Sequence, residues 1–231
     1  MSSETSTMHA TAMPRQESLL VALLLAFAGG YLDTYTWITH GILANAQTAN
    51  LVFLWVHATA ARWQEAFHFV PPLFAFFVGV VIATWLRRVA GERVGQLSLL
   101  IEIAMLILVG ILHNRVPEVA GTLGISMVAA MQTSIFTRVE GATYSSVMIT
   151  GNFRQAIEGA FVLVAGDRQV GLLRKSWVFM GICAAFGAGA ATGAFLTERM
   201  PTLTLTVPVA ALLLVLLLCA AGRPIEAVEQ P

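Results

Sequence analysis

Two carboxylates of this chain stand inside long apolar runs, where an ionisable group is costly and marks a pathway or a proton site. Asp33 follows Gly29-Gly30-Tyr31-Leu32, about fifteen residues into the first run. Its competing reading is a cap at the far end of a helix near the interface. Glu102 is surrounded by Leu99, Leu100, Ile103 and Leu106. It is a candidate proton carrier, with snorkelling to the interface as the other reading. Two polar triplets, Thr48-Ala49-Asn50 and Thr150-Gly151-Asn152, each precede an apolar stretch. Ser, Thr and Asn at such positions cap helix N-termini. Each triplet is therefore expected to open a half-helix that turns its unsatisfied N–H groups and positive dipole end towards the middle of the membrane. Asp33, Thr48, Asn50, Gln132, Thr150 and Asn152 are the candidate substrate contacts, and Asp33 and Glu102 the candidate proton-handling groups. Arg138 and Arg154 lie near the second triplet and would favour an anionic ligand, although a cytoplasmic position explains Arg138 equally well. Plain capping at the surface, with no ligand, is the competing reading for both triplets.

The elements that must hold these groups are set by composition. The chain has 231 residues, 57% hydrophobic and 11% charged, against about 25% charged in a soluble domain. Thirteen basic and thirteen acidic residues cancel, so no basic excess attracts nucleic acid. The charges cluster between runs that are apolar all round, the pattern of a chain that crosses lipid repeatedly. Six runs, roughly 18–38, 67–86, 97–113, 118–136, 176–197 and 203–221, are long enough to span a hydrocarbon core of about 30 Å at 1.5 Å per residue. Pro71-Pro72 and Pro117 fit the first turns of helices. Residues 1–17 are polar and rich in Ser and Thr, and read as a disordered cytoplasmic tail. Ala26-Phe27-Ala28 resembles a signal-peptidase site, but the apolar run continues past it to Ile38, which favours a first membrane helix.

Two further segments, 43–62 and 143–165, begin polar and turn apolar. If neither crosses and the N-terminus is cytoplasmic, about nine Arg and Lys lie inside and about three outside. The inside set is Arg15, Arg87, Arg88, Arg93, Arg138, Arg168, Arg174, Lys175 and Arg223, and the outside set Arg62, Arg115 and Arg199. If both cross, the bias shrinks and Arg154 is buried in a span, at about 2.5–3.5 kcal/mol if central. Two half-buried hairpins fit better. The chain also repeats itself: Leu32-Asp33-Thr34 through Thr48-Ala49-Asn50 is echoed by Met131-Gln132-Thr133 through Thr150-Gly151-Asn152. Phe76-Phe77-Val78-Gly79 pairs with Phe186-Gly187-Ala188-Gly189, and Leu97-Ser98-Leu99 with Leu203-Thr204-Leu205. An odd number of spans per half forces opposite orientations. The expected fold is an all-α membrane protein of about six transmembrane helices, built as a 3+3 inverted repeat (18–113 and 118–221) with a re-entrant or broken-helix hairpin in each half. Residues 18–231 form one membrane domain that ends in a short tail, 222–231.

Gly29-Gly30-Tyr31-Leu32-Asp33 followed by Asn45-Ala46-Gln47-Thr48-Ala49-Asn50 resembles the YoaK family of small bacterial membrane proteins (domain of unknown function 1275). Met131-Gln132, Arg138 and Thr150-Gly151-Asn152 resemble its second signature, and Glu102 sits where its members carry a glutamate. The resemblance covers about residues 18–221. The first triplet departs from the family's usual Thr-Gly-Asn at Ala49. The resemblance implies about six helices and a bacterial inner-membrane location, with the N-terminus cytoplasmic as argued above, and supplies no reaction.

Gly181, Ala185, Gly189 and Gly193 form a small-residue stripe that suits close helix packing, within the chain first and in a homo-oligomer second. Trp37, Trp55, Trp63, Trp85 and Trp177 read as interface anchors. The histidines lack metal spacing, Cys183 and Cys219 read as small hydrophobes, and no hydrolase, Walker or dinucleotide fingerprint occurs. No cofactor is expected. The expected partners are the lipid bilayer and a small molecule of unknown kind. Three functions follow: a secondary transporter or channel with its site between the repeats, a membrane-embedded enzyme using the carboxylates as acid and base, and a structural or partner-binding protein.

Overall fold

The computed structural model describes residues 14–112, 118–164, 170–201 and 203–221. Its helices are α1 (Leu19–His40), α2 (Gln47–Thr59), α3 (Trp63–Phe67), α4 (Val70–Ala90), α5 (Val94–Leu112), α6 (Glu118–Ile135), α7 (Ile149–Val164), α8 (Val170–Arg199) and α9 (Thr206–Ala220). A two-stranded ribbon, β1 (Arg138–Val139) and β2 (Ala142–Thr143), pairs antiparallel between α6 and α7. Its turn takes positive φ at Glu140 (45°) and Gly141 (78°), as a tight hairpin of this hand requires.

Local chemistry explains the boundaries. The Ser18 side chain accepts from the Val21 N–H and opens α1, and Gly41, at φ 65°, closes it. The helix runs unbroken through Ala26-Phe27-Ala28. Pro71 and Pro72 fall in the first turn of α4, where a missing N–H costs nothing; Pro117 lies outside the described residues. Arg15–Glu17 form a 3-10 turn against the base of α1 rather than part of a disordered tail; the rest of that expectation, residues 1–13, lies outside the described residues.

Leu19–His40, Trp63–Leu112 and Gly171–Arg199 are long and apolar enough to cross a membrane, and Val119–Ile135 and Thr206–Ala220 are shorter apolar helices. Large side chains such as Phe74, Phe77, Trp85, Ile111 and Leu217 are exposed on these helices. An apolar belt of this extent suits contact with lipid, consistent with a multi-pass membrane protein. The ambiguous segments 43–62 and 143–165 contain α2 and α7, of 13 and 16 residues.

The helices pack in matched pairs. α1 lies along α8, where Gly30 meets the Phe186 carbonyl, Gly189 meets Phe27 and Gly193 meets Tyr31. α4 lies along α6, where Gly79 meets Met127 and Ala130, and the Arg87 guanidinium donates to the Ser134 carbonyl. Residue numbers rise together in both pairs, so both are parallel. α5 is antiparallel to α6, with Gly124 on Met105 and Gly121 on Val109. α9 is antiparallel to α1 and α5. The Tyr31 hydroxyl donates to the Thr204 carbonyl (2.7 Å), and Gln96 Nε2 donates to the Cys219 carbonyl (3.3 Å). Thus α1, α5 and α8 run one way and α4, α6 and α9 the other. The small-residue stripe on α8 is spent on α1, within the chain.

The charges separate along this axis. Arg15, Arg87, Arg88, Arg93, Arg138, Arg174 and Lys175 gather where α1, α5 and α8 begin, tied there by Glu140 N–H to Glu17 O (2.8 Å) and by Arg174 Nη2 to Glu140 Oε1 (2.7 Å). Arg62 and Arg199 stand at the opposite end. Arg115, Arg168 and Arg223 lie outside the described residues.

Candidate functional site

Both loops that precede the short helices fold back towards the middle of α1. Beyond Gly41 the chain returns along α1: Ala44 N–H donates to Thr36 Oγ1 (3.1 Å), Asn45 N–H to Asp33 Oδ1 (2.7 Å), and Asn45 Nδ2 to the Gly29 carbonyl (3.0 Å). α2 then starts at Gln47 and climbs away, so that Phe53 reaches Trp37 and Phe69, with ring centroids 6.0 and 5.6 Å apart. The second loop arrives from the other end. Gln132 Nε2 donates to Ser146 Oγ (2.8 Å) and to the Leu25 carbonyl (3.2 Å). A Cβ added to Gly29 would lie 2.8 Å from Val147 and 3.3 Å from the Ser146 carbonyl. α7 then descends along α8, with Ser176 Oγ donating to the Ala156 carbonyl at 2.8 Å. Gly29-Gly30 is therefore where the two turns meet, and the absence of side chains there lets one backbone approach the other.

The two asparagines of the triplets do the same task. Asn50 Oδ1 accepts the Leu43 N–H (3.2 Å) while its Nδ2 donates to the Leu43 carbonyl (2.7 Å). Asn152 Oδ1 accepts the Ser145 N–H (3.4 Å) while its Nδ2 donates to the Ser145 carbonyl (2.6 Å). In both cases the partner lies seven residues earlier. A side-chain amide presents a donor and an acceptor in the geometry of a peptide, so each asparagine closes its turn by imitating a neighbouring strand. This corrects the capping expectation. α2 starts after Ala46 with no side-chain cap, and Thr48 and Asn50 are its second and fourth residues. Thr150 and Asn152 hold the same positions in α7. Ser145 Oγ is the group that meets the N–H of Val147 and Met148, at 3.4 and 3.1 Å.

Between the turns lies a cavity of about 1110 Å³. Asp33, Thr34 and Trp37 of α1 form one wall; Asn45, Gln47, Thr48 and Phe53 come from the first turn and α2; Tyr144, Ser145, Thr150, Asn152 and Gln155 come from the second turn and α7; Phe76 of α4 and Phe186 of α8 complete it. Asp33, buried to 7% exposure, is the sole carboxylate among the described lining residues, and no Lys, Arg or His joins it there.

Of the residues singled out in the sequence, Asp33, Thr48, Thr150 and Asn152 line this cavity. Asn50 and Gln132 are buried behind its wall, at 0% and 1% exposure, holding the turns. Glu102 lies on α5 outside the wall, fully buried, and neither of its oxygens nor the Ser98 hydroxyl one turn earlier has a hydrogen-bond partner among the described residues. Arg138 and Arg154 do not reach the cavity. Arg138 bonds the Gly141 carbonyl in the exposed β-turn, and Arg154 faces outward from α7, 3.8 Å from Glu158. The proximity in sequence that suggested anion binding is undone by the helix phase, which turns Arg154 away from Asn152.

Sequence reasoning missed Asn45, Gln47 and the aromatic walls. Asn45 and Gln47 flank Ala46 immediately before the first triplet, so their polarity in an otherwise apolar stretch was a usable signal. Phe76 and Phe186 occupy equivalent positions in the repeated Phe-x-x-Gly, but nothing in that pattern tells lipid-facing rings from cavity-facing ones. Among the described residues no three His, Cys, Asp or Glu converge on a point that could hold a metal ion.

A family model described as "Protein of unknown function (DUF1275)" matches residues 21–218. The match covers nearly the whole chain, and the chain belongs to that family, the one its Asp33 and Asn50 region and its Met131 to Asn152 region resemble. No curated protein and no solved structure matches it.

Proposed function

We propose that this DUF1275 chain is a small-molecule secondary transporter or channel of the bacterial inner membrane, with its site between two inverted three-helix repeats. The observation that carries this reading is the cavity at Gly30 and Asp33, framed by two folded-back turns built on the same asparagine clamp. Irregular backbone at membrane depth survives only where it is buried in protein or lines a wet cavity. Two such turns facing each other near the midplane are the usual frame of a transport site. The repeat is supported by the pairing of helices: exchanging the halves turns the α1–α8 contact into α6–α4 and the α1–α9 contact into α6–α5, with directions preserved. The crowding of Arg and Lys at one end supports a cytoplasmic N-terminus.

Asp33 is the group in the cavity able to exchange a proton with a substrate. Glu102 is not among the lining residues, which favours the transport reading over an enzyme that would use both carboxylates as acid and base.

The test is a growth screen of a deletion strain against toxic small molecules, with uptake or export then measured in vesicles. Complementation by the unaltered gene, and its loss in Asp33→Asn at normal membrane expression, is the expected result. An Asp33→Asn protein as active as the unaltered chain on every compound found would remove the transport site from this cavity.

A further inference from the structure

The cavity holds a carboxyl group with no cationic side chain opposite it among the described residues. That group, Asp33, accepts the Asn45 N–H at 2.7 Å. A buried carboxyl group either keeps a proton or takes a partner of positive charge, because burial strips away its hydration. The other walls are aromatic. Trp37 stands one helical turn beyond Asp33 on α1, and Phe76 and Phe186 face the cavity from α4 and α8. Ring faces attract cations through their quadrupole. The two helix starts in the wall carry positive ends that favour an anion; at α2 the N–H groups of Gln47, Ala49 and Asn50 are taken by the Asn45 and Ala46 carbonyls (3.1, 2.9 and 3.2 Å), and just ahead of α7 Ser145 Oγ accepts those of Val147 and Met148. Asp33 itself sits against the opening of α2 through Asn45.

Resting on the transport reading above, we propose that the ligand is a small organic monocation, an amine or quaternary ammonium type with apolar substituents, whose charge is balanced by Asp33 and whose substituents lie against Trp37, Phe76 and Phe186. The volume of about 1110 Å³ belongs to the size class that holds drug-sized ligands. Thr34 and Thr48 in the same lining supply hydroxyls that accept from an N–H, so protonated amines and fully substituted cations both fit the wall.

Two ions of the same shape and opposite charge test this without any variant. Equilibrium dialysis of the full-length protein in detergent is run against tetraphenylphosphonium and against tetraphenylborate. The phosphonium is expected to bind at least about tenfold more tightly than the borate, a difference of about 1.4 kcal/mol. Asp33→Asn keeps an acceptor for the Asn45 N–H and, in monodisperse protein, is expected to weaken the phosphonium about tenfold or more while leaving the borate unchanged. Phe76→Leu is expected to weaken it severalfold without touching either turn. Equal binding of both ions, preference for the borate, no binding of the phosphonium, or a monodisperse Asp33→Asn that binds it undiminished would each overturn the proposal. The transport reading has its own outcome: a vesicle assay that moves only neutral or anionic compounds sinks the cation and keeps transport. Phosphonium binding without movement of any compound does the reverse.

Discussion

At the residue scale the molecule rests on a few buried polar groups, and those that are satisfied must be distinguished from those that are not. Asn50 and Asn152 each use donor and acceptor on one backbone unit, so aspartate is not a conservative exchange. It keeps the acceptor, loses the Nδ2 donor, and sets a carboxylate against a carbonyl. Asn50→Asp and Asn152→Asp are each expected to cost about 1–3 kcal/mol, which lowers the midpoint of thermal unfolding by about 2–4 °C per kcal/mol in a chain of this size. Fluorescence-detected gel filtration after heating reads this directly, and an unchanged midpoint would mean that the clamps are ornamental. Glu102 is the opposite case. Both its oxygens are buried without partners among the described residues, so Glu102→Leu removes a desolvation cost and is expected to raise the midpoint by a few degrees, on the order of 1–3 kcal/mol. A fall would mean that the carboxylate holds something the helices α5 and α6 need. The sequence marked Glu102 as costly at membrane depth, and its surroundings are as apolar as its neighbours Leu99, Ile103 and Leu106 implied. What it could not reveal is that Glu102 stands outside the cavity that Asp33 lines.

At the scale of elements, glycine positions divide by what lies beside them. A side chain at Gly30 or Gly189 would run into the backbone of the facing helix, Phe186 in one case and Phe27 in the other. Gly30→Val and Gly189→Val are therefore expected to force α1 from α8 at about 1–3 kcal/mol or more each, seen as reduced monodisperse yield and a lower unfolding midpoint. Gly151 has open space around it and no left-handed backbone. Gly151→Ala is expected to leave stability within about 0.5 kcal/mol, which also explains why Ala49 is accepted at the equivalent place in the first triplet. If Gly151→Ala abolished folding, the equivalence of the two turns would be wrong. The lengths of α1, α4 and α5 were legible from hydropathy, since lipid-facing helices carry their signal on every residue. The starts of α2 and α7 were not. The threonine and asparagine that resembled caps lie inside the first turn, because the asparagine bonds backward to a loop instead of to its own helix.

At the scale of the whole molecule, the alternating directions of α1, α4, α5, α6, α8 and α9 set Arg62 and Arg93 at opposite ends. In a background without Cys183 and Cys219, Arg62→Cys is expected to react with an impermeant maleimide only from outside the cell and Arg93→Cys only from inside. Reaction of both from one side would contradict the folded-back course of residues 41–46. The sequence by itself determined that the chain is helical, apolar and suited to lipid, and that Asp33, Thr48, Thr150 and Asn152 are polar where polarity is expensive. These follow from composition and order along one strand of residues, for which hydration energy and helix periodicity suffice. Only the tertiary structure decided that Asn45 and Asp33 join, that Asn50 and Gln132 brace the turns instead of facing a ligand, that Arg154 points outward, and that Phe76 and Phe186 close the wall. Those outcomes depend on the rotation of each helix about its own axis, which is set by close contacts such as Gly30 on Phe186 and Gly79 on Met127, and no local pattern encodes which face will find its partner.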